Sequence, residues 1–274
     1  KKVKAVYDAQ ESLNLTSEQK MLLKSYYRSF AQNGIDLPAD KRERLKEINS
    51  EISMLQLRFG NNLLAESNAF AEKFGISVSD YPETMAATSD RQLREAMFRA
   101  YSERGNNNNE NDNKQTVLDI IRLRIEKAQL LGYETPAALS VEDKMAKTPE
   151  AVDPFLQSII TPAIRKAKEE IKDMQEIMDA DIAAGLLPAG SKIEPWDWFY
   201  YATKVQEVKY ALNEDELKPY FPMEQVREGV FASAKTLYGI DVKPIAGAPK
   251  YHPEMEAFEV TNEDGSLVGV FLSD

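Results

Sequence analysis

Residues 38–73 read PADKRERLKEINSEISMLQLRFGNNLLAESNAFAEK, and their period decides the fold class. Leu45, Ile48, Ile52, Leu55, Phe59, Leu63 and Phe70 recur at helical intervals. That spacing keeps them on one side of a 3.6-residue helix, so the stretch predicts one long amphipathic helix. Pro38 suits its first turn, where a missing amide donor costs nothing. Upstream, Thr16-Ser17-Glu18-Gln19 is a capping pattern before Met21, Leu22, Tyr26 and Phe30, and Asn33-Gly34 closes that helix. Downstream, Asp90 caps a helix whose Leu93, Met97, Phe98 and Tyr101 point inward and which Gly105 ends.

The same reading continues to Tyr238. Asn106 to Asn113 is a polar run whose side chains compete with helix, so a solvated loop is expected. A helix follows from Lys114 to about Leu131, closed by Gly132. Thr135-Pro136 and Thr148-Pro149 each look like a cap followed by proline. The second opens a long helix to about Ala184, with a kink expected at Pro162. Pro195 opens a helix from Trp196 to about Leu212, and Pro222 another to Tyr238, stopped by Gly239. After Ile240 the pattern changes. Phe258–Thr261, the turn Asn262-Glu263-Asp264-Gly265, and Leu267–Leu272 read as a β-hairpin. The last strand is apolar on both faces, as in a strand covered on both sides, and with Asp274 following at once its covering layer is expected from sequence that is not here. The expected architecture is therefore mainly α, a bundle of long helices, with a small β-hairpin at the C-terminal end. Residues 1–239 would form a helical lobe and residues 240–274 the start of a small sheet.

Composition removes several functions. Asp plus Glu is 45 against 34 for Lys plus Arg, a net charge of −11, which disfavours a nucleic-acid binder. No run of about 18 apolar residues is present, so no membrane span is expected. With no cysteine there is no disulfide, thiolate zinc site or cysteine nucleophile. That absence fits cytoplasm and is compatible with periplasm. A helical zinc hydrolase needs two histidines one turn apart with a glutamate base, and this chain has His252 alone. The Gly185–Gly190 loop lacks the lysine of a phosphate-binding loop. Lys168-Glu169-Glu170 and Asn213-Glu214-Asp215-Glu216 read as solvated helix faces or caps. The most unusual segment is Pro195-Trp196-Asp197-Trp198-Phe199-Tyr200-Tyr201, which holds both tryptophans. At 100° per residue, Trp196, Phe199 and Tyr200 share one face, and Trp198 and Tyr201 another. A helix buried on two sides is the plain reading, and an aromatic binding surface the functional one.

That aromatic run also resembles the thimet-oligopeptidase family of zinc metallopeptidases. Further matches follow in the family's order: Tyr101–Gly105, Leu130–Tyr133, Lys144–Glu150, Leu217–Phe221, Val226–Phe231, Leu237–Ile240, Tyr251–Glu254 and Gly269–Asp274. The Met145–Glu150 segment and the aromatic helix look most like the peptidyl-dipeptidase, or dipeptidyl carboxypeptidase, branch. The resemblance implies a mostly helical, two-lobed shell around a deep channel that admits short unfolded peptides. Zinc would polarise the scissile carbonyl, and the glutamate of an H-E-x-x-H motif would activate water. In the dipeptidyl branch two residues leave from the peptide's C-terminus. No residue here matches the zinc ligands or the general base, so no catalytic or metal-binding residue is assigned. The chain reads as an internal piece that supplies a non-catalytic helical wall, with the catalytic C-terminal segment as its partner. His252 and Asp274 are the candidate substrate-binding residues. The span Gly75 to Asp90 is short for the family. The rival reading is an acidic helical binding or scaffold protein without catalysis.

Overall fold

Ten α-helices and a three-stranded antiparallel sheet make up the described residues, 2–211 and 216–274, of the computed structural model. They fall into two compact units, residues 1–205 and 206–274. The acidic stretch at 213–215 and the expected helix end at Leu212 lie outside the described residues.

The first unit opens with α1 (Lys2–Asp8) and α2 (Ser17–Gln32). Thr16 and Gln19 form a reciprocal capping box at the start of α2, as its sequence requires. Helix α3 (Ala39–Phe74) is the long helix, with Leu45, Ile48 and Phe70 buried on its apolar side. Ile52, Leu55, Phe59 and Leu63 are half-buried between them. Its main neighbour is α6 (Lys114–Leu130). Arg44 on α3 forks onto Glu126 of α6, at 2.7 Å through Nε and 2.9 Å through Nη2. The Arg44 hydrogen bond holds the Glu126 carboxyl below the usual range. At the other end Asn113 donates to the carbonyl of Phe59 and accepts from Asn62. Asn113 is buried, while most of the polar run before it is exposed as expected.

The short Gly75–Asp90 span holds a seven-residue helix, α4 (Tyr81–Ala87). Tyr81 and Met85 from it bury against Phe70 of α3 and Met97 of α5 (Arg91–Ser102). Tyr81 stacks on Tyr101 with centroids 4.0 Å apart, and burial pushes its hydroxyl up to about 12. Asp90 caps α5 by accepting from the Gln92 and Leu93 amides. The inward set of α5 differs from the periodicity: Leu93 is 42% exposed, and Arg94 is buried in its place. An apolar count sees leucine there, but the face of α5 that turns inward meets a carboxylate.

Helix α7 (Pro136–Val141) is capped by Thr135, whose hydroxyl accepts from the Ala138 amide. Helix α8 (Pro149–Ala183) continues through both Pro154 and Pro162. Thr148 sits at its N-cap without a side-chain bond, and its backbone carbonyl accepts from the Ala151 amide instead. Lys168 and Glu169 are exposed and Glu170 half-buried, in keeping with a largely solvated face. Aromatic helix α9 (Trp198–Tyr210) follows a 3-10 turn at Pro195–Asp197, so it starts later than Trp196.

In the second unit α10 (Met223–Tyr238) ends at Gly239, φ 67°, and leads into the sheet. The strands are β1 (Ile240–Pro244), β2 (Glu256–Asn262) and β3 (Leu267–Ser273), in that spatial order. The expected hairpin is present as β2–β3, with Gly265 at φ 80° in its turn. β1 is an addition to it; its charged and proline residues hide a strand from apolar alternation. Phe231 of α10 packs on Phe258 and Phe271, with centroids 5.2 and 6.3 Å away. β3 is not covered on both faces: Leu267, Val268, Val270, Phe271 and Leu272 are all exposed. The two edges differ chemically. β1 carries Asp241, Lys243 and Pro244, features that block pairing, whereas β3 has no charge and no proline.

Two glycines with similar backbones separate strain from crowding. Gly34 (φ +80°) would place a Cβ 2.7 Å from Cδ2 of buried Leu45, while Gly75 (φ +70°) has nothing within 4 Å. Gly75→Ala should cost about 1–2 kcal/mol from the left-handed backbone alone. Gly34→Ala should cost roughly 1–3 kcal/mol more from overpacking. Urea unfolding of both variants checks this, and equal losses would contradict the crowding at Leu45.

Candidate functional site

The aromatic run is buried on one side, not two. Tyr201 packs with Met174 and Met178 of α8, and its hydroxyl donates to Asp181 at 2.9 Å. Burial, then this bond to Asp181, raises the Tyr201 hydroxyl well above the usual tyrosine range. Lys204 donates to the same Asp181 oxygen at 2.9 Å. Tyr200 is half-buried, with the Arg94 guanidinium 4.3 Å and the Lys204 ammonium 4.6 Å from its centroid. Trp198 and Phe199 are exposed, although Phe199 sets its ring edge-on to Tyr81 at 6.0 Å. The 3-10 turn accounts for the difference from the helical-wheel reading: Trp196 precedes α9 and packs on Phe98 of α5 instead.

Between the two tryptophans lies Asp197, fully buried. Arg91 donates to it through Nε at 3.1 Å and Nη2 at 2.8 Å. Arg94, 1% exposed, donates through Nη2 at 2.8 Å, and the Glu194 amide donates at 3.1 Å. Arg91 and Arg94 are three residues apart on α5, so one helix face presents both guanidinium groups. Burial alone would raise the Asp197 carboxyl, but the bonds from Arg91, Arg94 and Glu194 outweigh it and hold it below the usual range. Arg94 also donates to the carbonyls of Thr88 and Ser89, which fixes the entrance of α5. The sequence carries one signal for this cluster that apolar periodicity discards, namely two arginines at helical spacing on a face otherwise read as core.

His252 and Asp274 lie in the second unit, both exposed. Asp274 accepts a hydrogen bond from the hydroxyl of Tyr251, the neighbour of His252, and that bond raises the Tyr251 hydroxyl. The strand end is thus tied to the loop that carries the histidine. His252 itself accepts from the Glu254 amide through Nδ1 at 3.3 Å. No His252–Asp274 bond is present among the described residues. The pair therefore shares a neighbourhood through Tyr251 without forming an acid–base couple.

No group of three or more His, Asp or Glu residues is arranged to hold a metal ion among the described residues. The donor set of the described residues does not fit a zinc centre, which needs three protein ligands facing one point. Asp197, the most shielded carboxylate, is saturated by arginine. Among the described residues no helix is long and apolar enough to cross a membrane.

Asp197→Asn leaves two guanidinium groups, one of them buried, without a counter-charge. It should lower stability by about 3–5 kcal/mol near neutral pH. Because the folded carboxyl titrates below its unfolded value, the wild-type advantage is complete above about pH 4 and fades as pH falls through the folded value. Urea unfolding of both proteins from pH 7 downward measures this. A gap that is small at pH 7, or that widens in acid, would contradict the assignment.

The chain's relatives agree with the peptidase resemblance. It is 31% identical over 310 residues to the dipeptidyl carboxypeptidase of Salmonella typhimurium, covering 100% of this chain and 44% of that protein. The dipeptidyl carboxypeptidase of Escherichia coli is 30% identical over 306 residues, with the same coverage of 100% and 44%. Oligopeptidase A of Escherichia coli is 28% identical over 302 residues, 97% of this chain and 44% of that protein. The chain thus spans less than half the length of these relatives. The first alignment is longer than the 274 residues of the chain, so that relative carries insertions which this chain lacks. The model of peptidase family M3 matches residues 84–274, from α4 through the aromatic run and the Asp197 cluster to the last strand. With that match over most of its length, the chain belongs to peptidase family M3.

Proposed function

We propose that this chain is the non-catalytic helical wall of a metallopeptidase that cleaves short peptides and releases dipeptides from their C-termini. The observation that carries the reading is the likeness of the whole of this chain to 44% of the length of two dipeptidyl carboxypeptidases. Zinc, in this reading, is held by a catalytic segment outside the 274 residues, where it would polarise the scissile carbonyl. The chain's own part is to shape the channel and bind peptide.

By secondary-structure type, residues 1–239 serve as a helical lobe and 240–274 as the start of the sheet beside the cleft. This division by role differs from the compact units, which part at Val205. His252 and Asp274 act as peptide contacts. Their support is exposure and the Tyr251 link that holds strand and loop together. Exposed apolar side chains on α8, Phe155, Leu156, Ile159, Ile160 and Ile164, favour a covering partner over a free-standing wall.

The test is a polypeptide extended to the length of the relatives. It should release C-terminal dipeptides from short peptides and lose that activity to a chelator, while the 274-residue chain alone stays inactive. His252→Ala in the longer protein should raise KM several-fold with little change in kcat. Activity that survives excess chelator would overturn the metallopeptidase assignment. An extended protein that binds peptides without cleaving them would favour the acidic scaffold instead.

A further inference from the structure

A cavity of about 670 Å³ opens where the end of α2, the last turns of α6, and α7 with the residues after it come together in the first unit. Its lining includes the cationic side chains of Arg124, Lys127 and Lys144 and a single carboxylate, Asp143. That carboxylate is already engaged: Arg28 holds it at 2.9 Å, and Lys144 reaches its other oxygen only at 3.6 Å. Arg124 has no ion pair among the described residues. Lys127 is half-buried, and among the described residues its one hydrogen-bond acceptor is the side-chain amide oxygen of Asn49 at 2.7 Å. An ammonium has three donors, so two remain for water or a ligand.

Such a cluster is out of place in a chain of net charge −11. Helix dipoles do not neutralise it. The C-terminal ends of α2 and α6 border the cavity, and each contributes only about half a negative charge. The lining therefore stays positive after Asp143 and both helix ends are counted. Burial, and then the neighbouring charge of Arg124, hold the Lys127 ammonium below the usual lysine range. That is the signature of a cation held without its counter-ion.

We propose that this cavity is an anion site that takes a small oxyanion, a carboxylate or a phosphate, between Arg124, Lys127 and Lys144. Arg124 supplies the planar fork suited to two oxygens, and Lys127 supplies the desolvated point charge. The Ser140 hydroxyl, also in the lining, is available as a neutral donor. The site is separate from the Asp197 cluster and from the His252 loop, and it does not depend on the peptidase reading.

The experiment titrates the 274-residue chain with inorganic phosphate and, separately, with acetate, at ionic strength held constant with chloride. The melting temperature and a binding isotherm are both recorded. The wild type should be stabilised saturably by one or both anions. Arg124→Gln and Lys127→Met should each weaken binding at least tenfold. Lys166→Gln, which removes an exposed cation on α8, should leave it unchanged. Preference for phosphate identifies a phosphate-bearing ligand, and preference for acetate a carboxylate from a polypeptide or metabolite. Lys127→Met should also melt higher than wild type without added anion, since it removes an unpaired half-buried charge. A wild type that shows no saturable response to either anion overturns the site, as does an equal response in Arg124→Gln. Arg124 is exposed and unpaired, so its variant folds and decides the matter even if Lys127→Met does not.

Discussion

One buried carboxylate organises the first unit. Asp197 sits in a 3-10 turn that would otherwise be a loose entry to α9, yet it reaches across to α5, more than a hundred residues earlier in the chain. Two arginines meet it, and one of them also holds the carbonyls that lead into α5. The charges are costly to bury, and the cost is offset only because nearly every donor and acceptor is used. Arg94 Nε is the exception, a buried donor with no partner among the described residues. A hydrophobic replacement of similar volume could match this cluster in stability. Direction is what the ionic version adds: Arg91, Arg94 and the Glu194 amide each aim a donor at the one carboxylate.

Much of this architecture is legible in the chain. The period of α3, the capping box at Thr16, the cap at Asp90 and the stop at Gly239 are local physics, and each stands where the residues require. What escapes the sequence is non-local. Arg94 looks like surface because its helix has leucine at a competing position, and only the fold shows which side α5 turns inward. β1 escapes because alternation between apolar and polar residues marks strands with one wet face, and Asp241 and Lys243 interrupt it. Helix α4 escapes because seven residues are too few to set up a period. The candidate peptide contacts were legible only through resemblance. No spacing of residues in this chain spells out peptide cleavage, and His252 and Asp274 are joined through a tyrosine that periodicity has no reason to notice.

Membership of peptidase family M3 gives these features a common setting. A reacting group misplaced by an ångström loses much of its reactivity, so a rigid frame has value in an enzyme family. The long helices, the stacked Tyr81 and Tyr101, and the saturated Asp197 cluster are all devices for rigidity. Charge follows the same logic. The buried carboxylate, Asp197, is matched by arginine, while positive lining collects around a cavity elsewhere in the unit.

The sheet of the second unit is finished on one border and raw on the other. β1 repels company with charge and proline, while β3 presents a neutral, apolar row of unpaired backbone groups. Assembly on this scaffold is consequently directional. Extension of the sheet is therefore favoured along the β3 border, much as a loom accepts weft from a single side.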